Sequence, residues 1–352
     1  MPAVDWRQDG GVKPRSGVGV ADLAALELFH GVARSRLESL AKLLERREYR
    51  RDEVLFRQGE PGESFVLILD GTVRVTRTVG SAELDLGSSG AGSIFGELSA
   101  ITRDARRATV TARSSVVVVF GALDAFEVLL ALPGLTAELR GLAAHRLAEI
   151  ARVIPVELDD GTQLVIRPLL ARDHDELAAA LRHQPEEWIY SRFFSGGMPS
   201  GALVDYLTNV DYLAHFAWVV ATPDPSHGIA VGRYIRLRDD RTVAELAFGV
   251  IDDWRGRGLG TLLLGALGVA AAHAGIERFR AETLAENRAM QRVLKKAGAK
   301  GQFVEGGVME TTLAVADAES LLPSGLRTQL ADVATEIVTG AGLALRALPR
   351  SA

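Results

Sequence analysis

The chain has no cysteine among its 352 residues. That absence removes a disulfide framework, a thiolate metal site and a cysteine nucleophile together. Histidine is sparse, and the seven present lack metal-ligand spacing, so no metal is expected. No apolar run reaches membrane-spanning length. The nearest, Thr261–Ala274, is too short and reads as a buried helix. Residues 1–19 are polar and glycine-rich, with no apolar core of a signal peptide, and read as a disordered tail. A cytoplasmic protein with no membrane partner is the expectation. Positive charge is not in excess either: the net charge of -5 offers no overall pull on nucleic acid. No G-x-x-x-x-G-K-[ST] occurs, which argues against a P-loop nucleotidase.

What is present is a soluble, globular composition, 47% hydrophobic and 24% charged, in a chain long enough for two domains. Its organising stretch runs from Ala244 to Ala272. Val243–Ile251 alternates as a strand, Asp252-Asp253-Trp254 turns, Arg255-Gly256-Arg257-Gly258-Leu259-Gly260 forms a glycine-rich loop, and an apolar helix leaves from Thr261. A strand, a glycine loop and a helix N-terminus make an anion site, because orphan N–H groups and the helix dipole point at whatever the missing Cβ atoms admit. Two loop arginines suit a phosphate. The glycines fall as G-x-G-x-G, so the dinucleotide fingerprint fails at its last interval. Upstream, Glu245 places a carboxylate inside an apolar strand. Burial there would raise its pKa and suit it to accept a proton near neutral pH; the alternative is a strand-end glutamate facing solvent.

The N-terminal part has a different texture. Two short helical patterns cover Val20–Leu44, and Tyr49–Val119 reads as short strands with turns at Gln58–Glu63, Asp70-Gly71 and Gly80, an antiparallel β-roll. Inside it lies Phe95-Gly96-Glu97-Leu98-Ser99, followed by Arg106-Arg107-Ala108-Thr109-Val110. Helices at Ala122–Leu132 and Thr136–Val153 follow, the second carrying Arg140 and His145 on an expected solvated face and stopped by Pro155. Beyond it, Leu164–Leu169 reads as a strand, and Asp173 with Glu176 as a capping box. Residues 184–200 form an aromatic segment, and 317–352 a helical tail outside either domain.

The spacing R-x-x-G-x-G of Arg255, Gly258 and Gly260 resembles the acyl-CoA pyrophosphate loop of the GCN5-related (GNAT) acetyltransferases. That resemblance implies acetyl-CoA as cosubstrate, held by Phe248, Gly249, Val250, Arg255, Gly256, Arg257, Gly258, Leu259, Gly260, Thr261 and, in an N-x-x-A/M…G segment, Asn287. It implies Glu245 as general base. The chain departs from the family at Leu294, where many members carry a tyrosine as general acid. The β-roll segment resembles the phosphate cassette of cyclic-nucleotide-binding domains. By that resemblance Gly96, Glu97, Leu98, Ser99, Arg106, Arg107 and Ala108 bind cAMP, with Glu97 on the ribose 2′-OH. The combination is similar to the actinobacterial cAMP-regulated protein lysine acetyltransferases (Pat-type), whose acceptors are lysines of acyl-CoA synthetases and other proteins.

The expected architecture is therefore α+β in two domains. A cyclic-nucleotide-binding roll with flanking helices spans 20–153, and a mixed-sheet GNAT fold spans 156–316. A DNA-binding regulator would need a helix-turn-helix after the roll, where strands are found instead. A small amine acceptor such as an aminoglycoside, or a binding module without turnover, stays open on the residues alone. His183, ahead of the aromatic segment, is a candidate inhibitory lid residue able to occupy the acceptor position beside Glu245.

Overall fold

The computed structural model describes residues 17–182, 200–224 and 226–343. The described residues divide into two compact units, the first closing at Ala143 and the second running from Ala144 to Ala341.

The first unit opens with α1 (Val20–Ala24) and α2 (Arg34–Ala41). Eight strands follow: β1 (Leu44–Tyr49), β2 (Val54–Phe56), β3 (Ser64–Asp70), β4 (Val73–Val79), β5 (Ala82–Ser89), β6 (Ile94–Phe95), then, after α3 (Glu97–Thr102), β7 (Thr109–Ala112) and β8 (Val116–Ala122). They form two antiparallel sheets ordered β1-β8-β3-β6 and β2-β7-β4-β5. The continuous apolar run of β3 explains its central place, because it is covered on both faces. Phe65 and Leu67 join one core with Leu23, Phe29, Leu37 and Leu40, while Val66 and Ile68 join a second with Phe56, Val110 and Val118. Alternation along one strand thus builds two cores. Gly71 turns β3 into β4 at φ +89°, where a Cβ would lie 2.2 Å from the Ser115 carbonyl oxygen. Helices α4 (Leu123–Leu130) and α5 (Leu135–Ile150) close the roll, and the last residues of α5 belong to the second unit.

The second unit is one eight-stranded sheet. Its elements run β9 (Ile154–Glu157), β10 (Gln163–Pro168), α6 (His174–Arg182), α7 (Gly201–Thr208), β11 (His215–Ala221), β12 (Gly228–Arg236), β13 (Val243–Val250), α8 (Leu259–His273), β14 (Arg278–Leu284), α9 (Arg288–Lys296), β15 (Lys300–Phe303), β16 (Val308–Ala314), α10 (Val315–Glu319) and α11 (Ser324–Leu343). The spatial order is β15-β16-β14-β13-β12-β11-β10-β9, antiparallel everywhere except β13 beside β14. The parallel pair needs a crossover, and α8 supplies it. It packs on one face of the sheet, where Trp218 Nε1 donates to the Ala266 carbonyl at 3.0 Å. On the other face, Leu181 of α6 packs with Val204 and Leu207 of α7.

Several expectations change here. The helix ends at Ile150, and Pro155 lies in the edge strand β9, which tolerates a residue without an N–H. Asp173 caps no helix through Glu176. It grips Arg167 through two hydrogen bonds of 2.7 and 2.8 Å and accepts from the Leu170 N–H, since a nearly buried guanidinium must be paired. Glu176 accepts from the Gly228 N–H at 2.9 Å instead. His145 is not on a solvated face: its ring meets Tyr212 edge-on at 5.2 Å, and burial pushes its pKa down. The stretch 317–352, expected outside either domain, clusters with the second unit as far as Ala341. The reason lies in α8, where a Cβ on Gly265 would meet Leu322 at 2.5 Å and one on Gly268 the Glu319 N at 2.8 Å, so the end of α10 and Leu322 beyond it seat directly on two glycines.

Candidate functional site

The parallel ladder between β13 and β14 is short. It pairs Val243 with Arg278, Ala244 with Phe279 and Glu245 with Arg280, and no further. Beyond Glu245 the strand pairs only with β12. The Ile251 N–H donates to Ile229, and the Val243 carbonyl accepts from Leu237, so odd-numbered residues of β13 direct their backbone groups to β12. By alternation the N–H groups of Phe248 and Val250 face the gap left by β14. The side chains alternate as well. A Cβ on Gly232, opposite Phe248, would meet Leu263 of α8 at 3.1 Å, whereas Arg233, opposite Ala247, reaches the Leu207 carbonyl of α7. Glu245 shares the second face.

Glu245 is exposed, contrary to the expectation of a buried carboxylate. Its neighbours on both sides, Ala244 and Leu246, are buried against α8's face of the sheet. The strand is apolar on one face only, and Glu245 belongs to the other. On that face, between α6 and β12–β13, opens a mainly apolar pocket lined by Leu177, Leu181, Val219, Val231, Gly249 and Ile251 among others. Further along lie two buried groups that the sequence did not flag. Arg233, 1% exposed, contacts His215 Nε2 at 3.1 Å, and burial together with the Arg233 charge holds the His215 pKa down at about 4.

At the end of β13 the loop takes its predicted form. Gly256 and Gly258 adopt φ +77° and +90°, Gly258 immediately precedes α8, and no described residue accepts from the N–H groups of Arg257, Gly258, Leu259 or Gly260. Thr261 donates its N–H to the Gly258 carbonyl, so its amide belongs to the first turn. A Cβ on Gly260 would sit 3.1 Å from Val293, which brings α9 against the loop. Asn287 caps that helix, its Oδ1 accepting from the Met290 N–H at 3.1 Å. Leu294 is 1% exposed and offers no proton to the site. Arg255 pairs with Asp252 at 2.7 Å. Arg257 lies 4.5 Å over the Trp254 ring and reaches Asp160 and Thr162 in the β9–β10 turn. Hydrogen bonds from Thr162 and Arg257 hold the Asp160 carboxyl down at about 2.

The second cluster lies in the first unit. Gly96, at φ +88°, precedes α3, and a Cβ there would lie 2.6 Å from both Arg106 Nη1 and the Ser64 carbonyl oxygen. Arg106 is 5% exposed, donates to the Gly96 carbonyl at 3.2 Å and to Ser64 Oγ at 2.9 Å, and lies 3.8 Å over the Phe56 ring. Its Nε is buried with no hydrogen-bond partner, a donor left for a ligand. Burial pulls its pKa down to about 10, against Glu60 and Glu97. Glu97 and Ser99 are buried beside it, and Leu98 and Ala108 are half-buried. Arg107 pairs with Asp104 at 3.3 Å. Ser64 and Phe56 carry no motif and could be placed only by the fold. Of the remaining sequence candidates, His183 lies outside the described residues.

Comparison with known proteins assigns a domain family to each unit. Residues 46–132 match the cyclic nucleotide-binding domain family, and residues 163–300 the acetyltransferase (GNAT) domain family. The fold and its two sites therefore define a GNAT acetyltransferase with its own cyclic-nucleotide-binding domain. Over 299 residues the chain is 39% identical to acetyltransferase Pat of Mycolicibacterium smegmatis, covering 85% of this chain and 90% of that one. The chain belongs to the Pat family of acetyltransferases. A solved cAMP-binding acyltransferase from Mycobacterium smegmatis is 36% identical, covers 92% of this chain and 97% of its own, and superposes with a TM-score of 0.47. The cyclic AMP receptor protein of Thermus thermophilus is 32% identical over 124 residues, 35% of this chain and 57% of that one.

Proposed function

We propose that this enzyme is a cAMP-regulated protein lysine N-acetyltransferase, moving acetyl from acetyl-CoA to lysine side chains of acceptors such as acyl-CoA synthetases. The observation that carries the reading is the position of Glu245. It stands at the last pair of the parallel ladder, exposed on the face that holds the pocket, on the strand that leads into the anion loop.

The pyrophosphate of acetyl-CoA sits on the N–H groups of Arg257–Gly260, with Arg255 and Arg257 supplying charge. The thioester lies in the gap beside Phe248 and Val250, where the Val250 N–H polarises the carbonyl. Glu245, directly or through water, takes the proton from the acceptor ammonium, and the free amine attacks. Water supplies the proton that CoA finally regains, since Leu294 cannot. A thiol of pKa about 8.5 leaves as thiolate without a dedicated acid. In the first unit, cAMP places its phosphate on Arg106 and the α3 N-terminus, with Glu97 on the 2′-OH. The likeness of the first unit to the cyclic AMP receptor protein of Thermus thermophilus favours cAMP as the nucleotide.

The test is acetyl transfer by the full chain to an acyl-CoA synthetase, with and without cAMP, read by mass spectrometry of the modified lysines. Acetylation at discrete lysines is expected, with a rate changed roughly 5–150-fold by cAMP. Transfer confined to small amines, or a rate indifferent to cAMP, would overturn the reading.

A further inference from the structure

The acyl-CoA loop does not stand alone. Arg257 is tied to a turn 97 residues earlier in the chain: its Nε donates to Asp160 Oδ2 at 3.1 Å, and its Nη2 donates to the same oxygen at 2.6 Å and to Thr162 Oγ1 at 2.6 Å. The guanidinium is laid over Trp254. Its Nη1 has no partner among the described residues. The turn that holds it is itself fixed, since Asp160 Oδ1 accepts from the Thr162 N–H at 3.0 Å and Gly161 takes φ +82°.

An arginine side chain loses much rotamer freedom when it grips an anion, and fixing it beforehand lowers that cost. We propose that Asp160 and Thr162 are positioning residues for acetyl-CoA: they hold Arg257 over Trp254 with one edge of its fork bonded and Nη1 left to donate to the pyrophosphate. This rests on the pyrophosphate reading of the Arg255–Gly260 loop. A competing arrangement uses the same contacts with the opposite sign, the Asp160 carboxylate occupying Arg257 in place of the phosphate. The three bonds, spread over two acceptors and backed by an aromatic ring, favour a fixed strut. A competitor for the phosphate would need to engage only the donors that the phosphate uses.

The experiment is calorimetric titration of the full-length protein with two probes, acetyl-CoA and acetyl-pantetheine, which lacks the pyrophosphate. The variants are Asp160→Asn, Thr162→Val, Arg257→Gln and the double variant Asp160→Asn/Arg257→Gln. Asparagine keeps the Oδ1 that braces the turn and removes the charge. Asp160→Asn is expected to weaken acetyl-CoA roughly 5–20-fold, as loss of a charge-assisted contact should. Thr162→Val follows in the same direction, acetyl-pantetheine is unmoved, and Asp160→Asn adds nothing once Arg257 is gone. Acetyl-CoA binding that is unchanged or tighter in Asp160→Asn overturns the proposal, as does an equal loss for both probes. Equal affinity of the unaltered protein for the two probes would instead sink the pyrophosphate reading itself. Should Asp160→Asn fold poorly, Thr162→Val carries the same test.

Discussion

Gly96 and Gly258 hold nearly the same backbone conformation, φ +88° and +90°, each immediately before a helix. The arginines beside them live differently. Arg106 is buried, pinned to Gly96 and Ser64, and its pKa is pulled down to about 10 by that burial. Arg255 has a side chain 51% exposed and Arg257 one 29% exposed, each paired with an aspartate at the surface. A Cβ on Gly96 collides with its surroundings, whereas one on Gly258 meets nothing within 4 Å. One helix-start device is therefore used twice. On the proposed function, the enclosed copy takes cAMP, whose loss of solvent makes every contact count, which suits a regulator that must be sensed. On the same proposal, the open copy takes the distal end of acetyl-CoA, a long cosubstrate that comes and goes with each turnover. The electrostatic worth of a guanidinium differs accordingly between low-dielectric and solvated settings.

The largest effect should separate chemistry from both anion sites. Glu245→Gln is expected to lower turnover by roughly 10²–10⁴ while leaving acetyl-CoA and cAMP binding within a few-fold, because the carboxylate touches neither phosphate. Turnover near that of the unaltered enzyme would show that Glu245 is structural. Next, the two arginine settings can be set against each other by calorimetry. Arg106→Ala should weaken cAMP by about 3 kcal/mol, the upper range for a charge-assisted hydrogen bond, whereas Arg255→Ala should weaken acetyl-CoA by about 1 kcal/mol or less. Equal losses would break the enclosed-versus-open distinction.

The glycines give a smaller, structural contrast. Gly96→Ala meets both an unfavourable φ and overlap with the Ser64 backbone, and should destabilise the first unit by roughly 2–3 kcal/mol. Gly258→Ala meets only the φ penalty, about 1 kcal/mol. Thermal melts that show the reverse order would mean that the loop, not the roll, is the tighter site.

Local signals in the chain were enough for much of this. The glycine spacing after β13, the F-G-E-L segment and the turn glycines are short-range features, and each stands where the sequence put it. The contacts that close the sites are not short-range. Ser64 reaches Arg106 across 42 residues and Asp160 reaches Arg257 across 97, and neither partner has a motif of its own. Strand β15 was invisible because all four of its residues are exposed and polar or glycine apart from Phe303, so no alternation marks it. Glu245 was misjudged for a related reason. Apolar neighbours suggested burial, but Ala244 and Leu246 face α8's side and Glu245 faces the other. Residues 317–341 looked like a tail because the stretch that anchors them, Ala318–Leu322, is seated on two glycines inside a distant helix.

The smallest expected effect distinguishes the units by pH. His215 is 6% exposed, and burial, reinforced by the Arg233 charge, holds its folded-state pKa at about 4 against 6.5 for the free side chain. Between those values the unfolded chain binds a proton that the folded one refuses, so stability rises with pH through this window and is lost as pH falls. His145 is shifted in the same direction by burial. His174 is shifted upward by its bonds to Asp175 and Asp205, which gives the opposite sign, but its side chain is 39% exposed and should count for little. All three belong to the second unit, and the first holds only His30, which is exposed. Lowering the pH from 7 to 5.5 should therefore cost the acetyltransferase unit about 1 kcal/mol through His215, a fall of a few degrees in its melting temperature. The cyclic-nucleotide unit should move less. His215→Gln, which cannot take up that proton, should flatten the difference. Two transitions that shift together across this range, or a His215→Gln protein with unchanged acid sensitivity, would show that the buried imidazole is not its source.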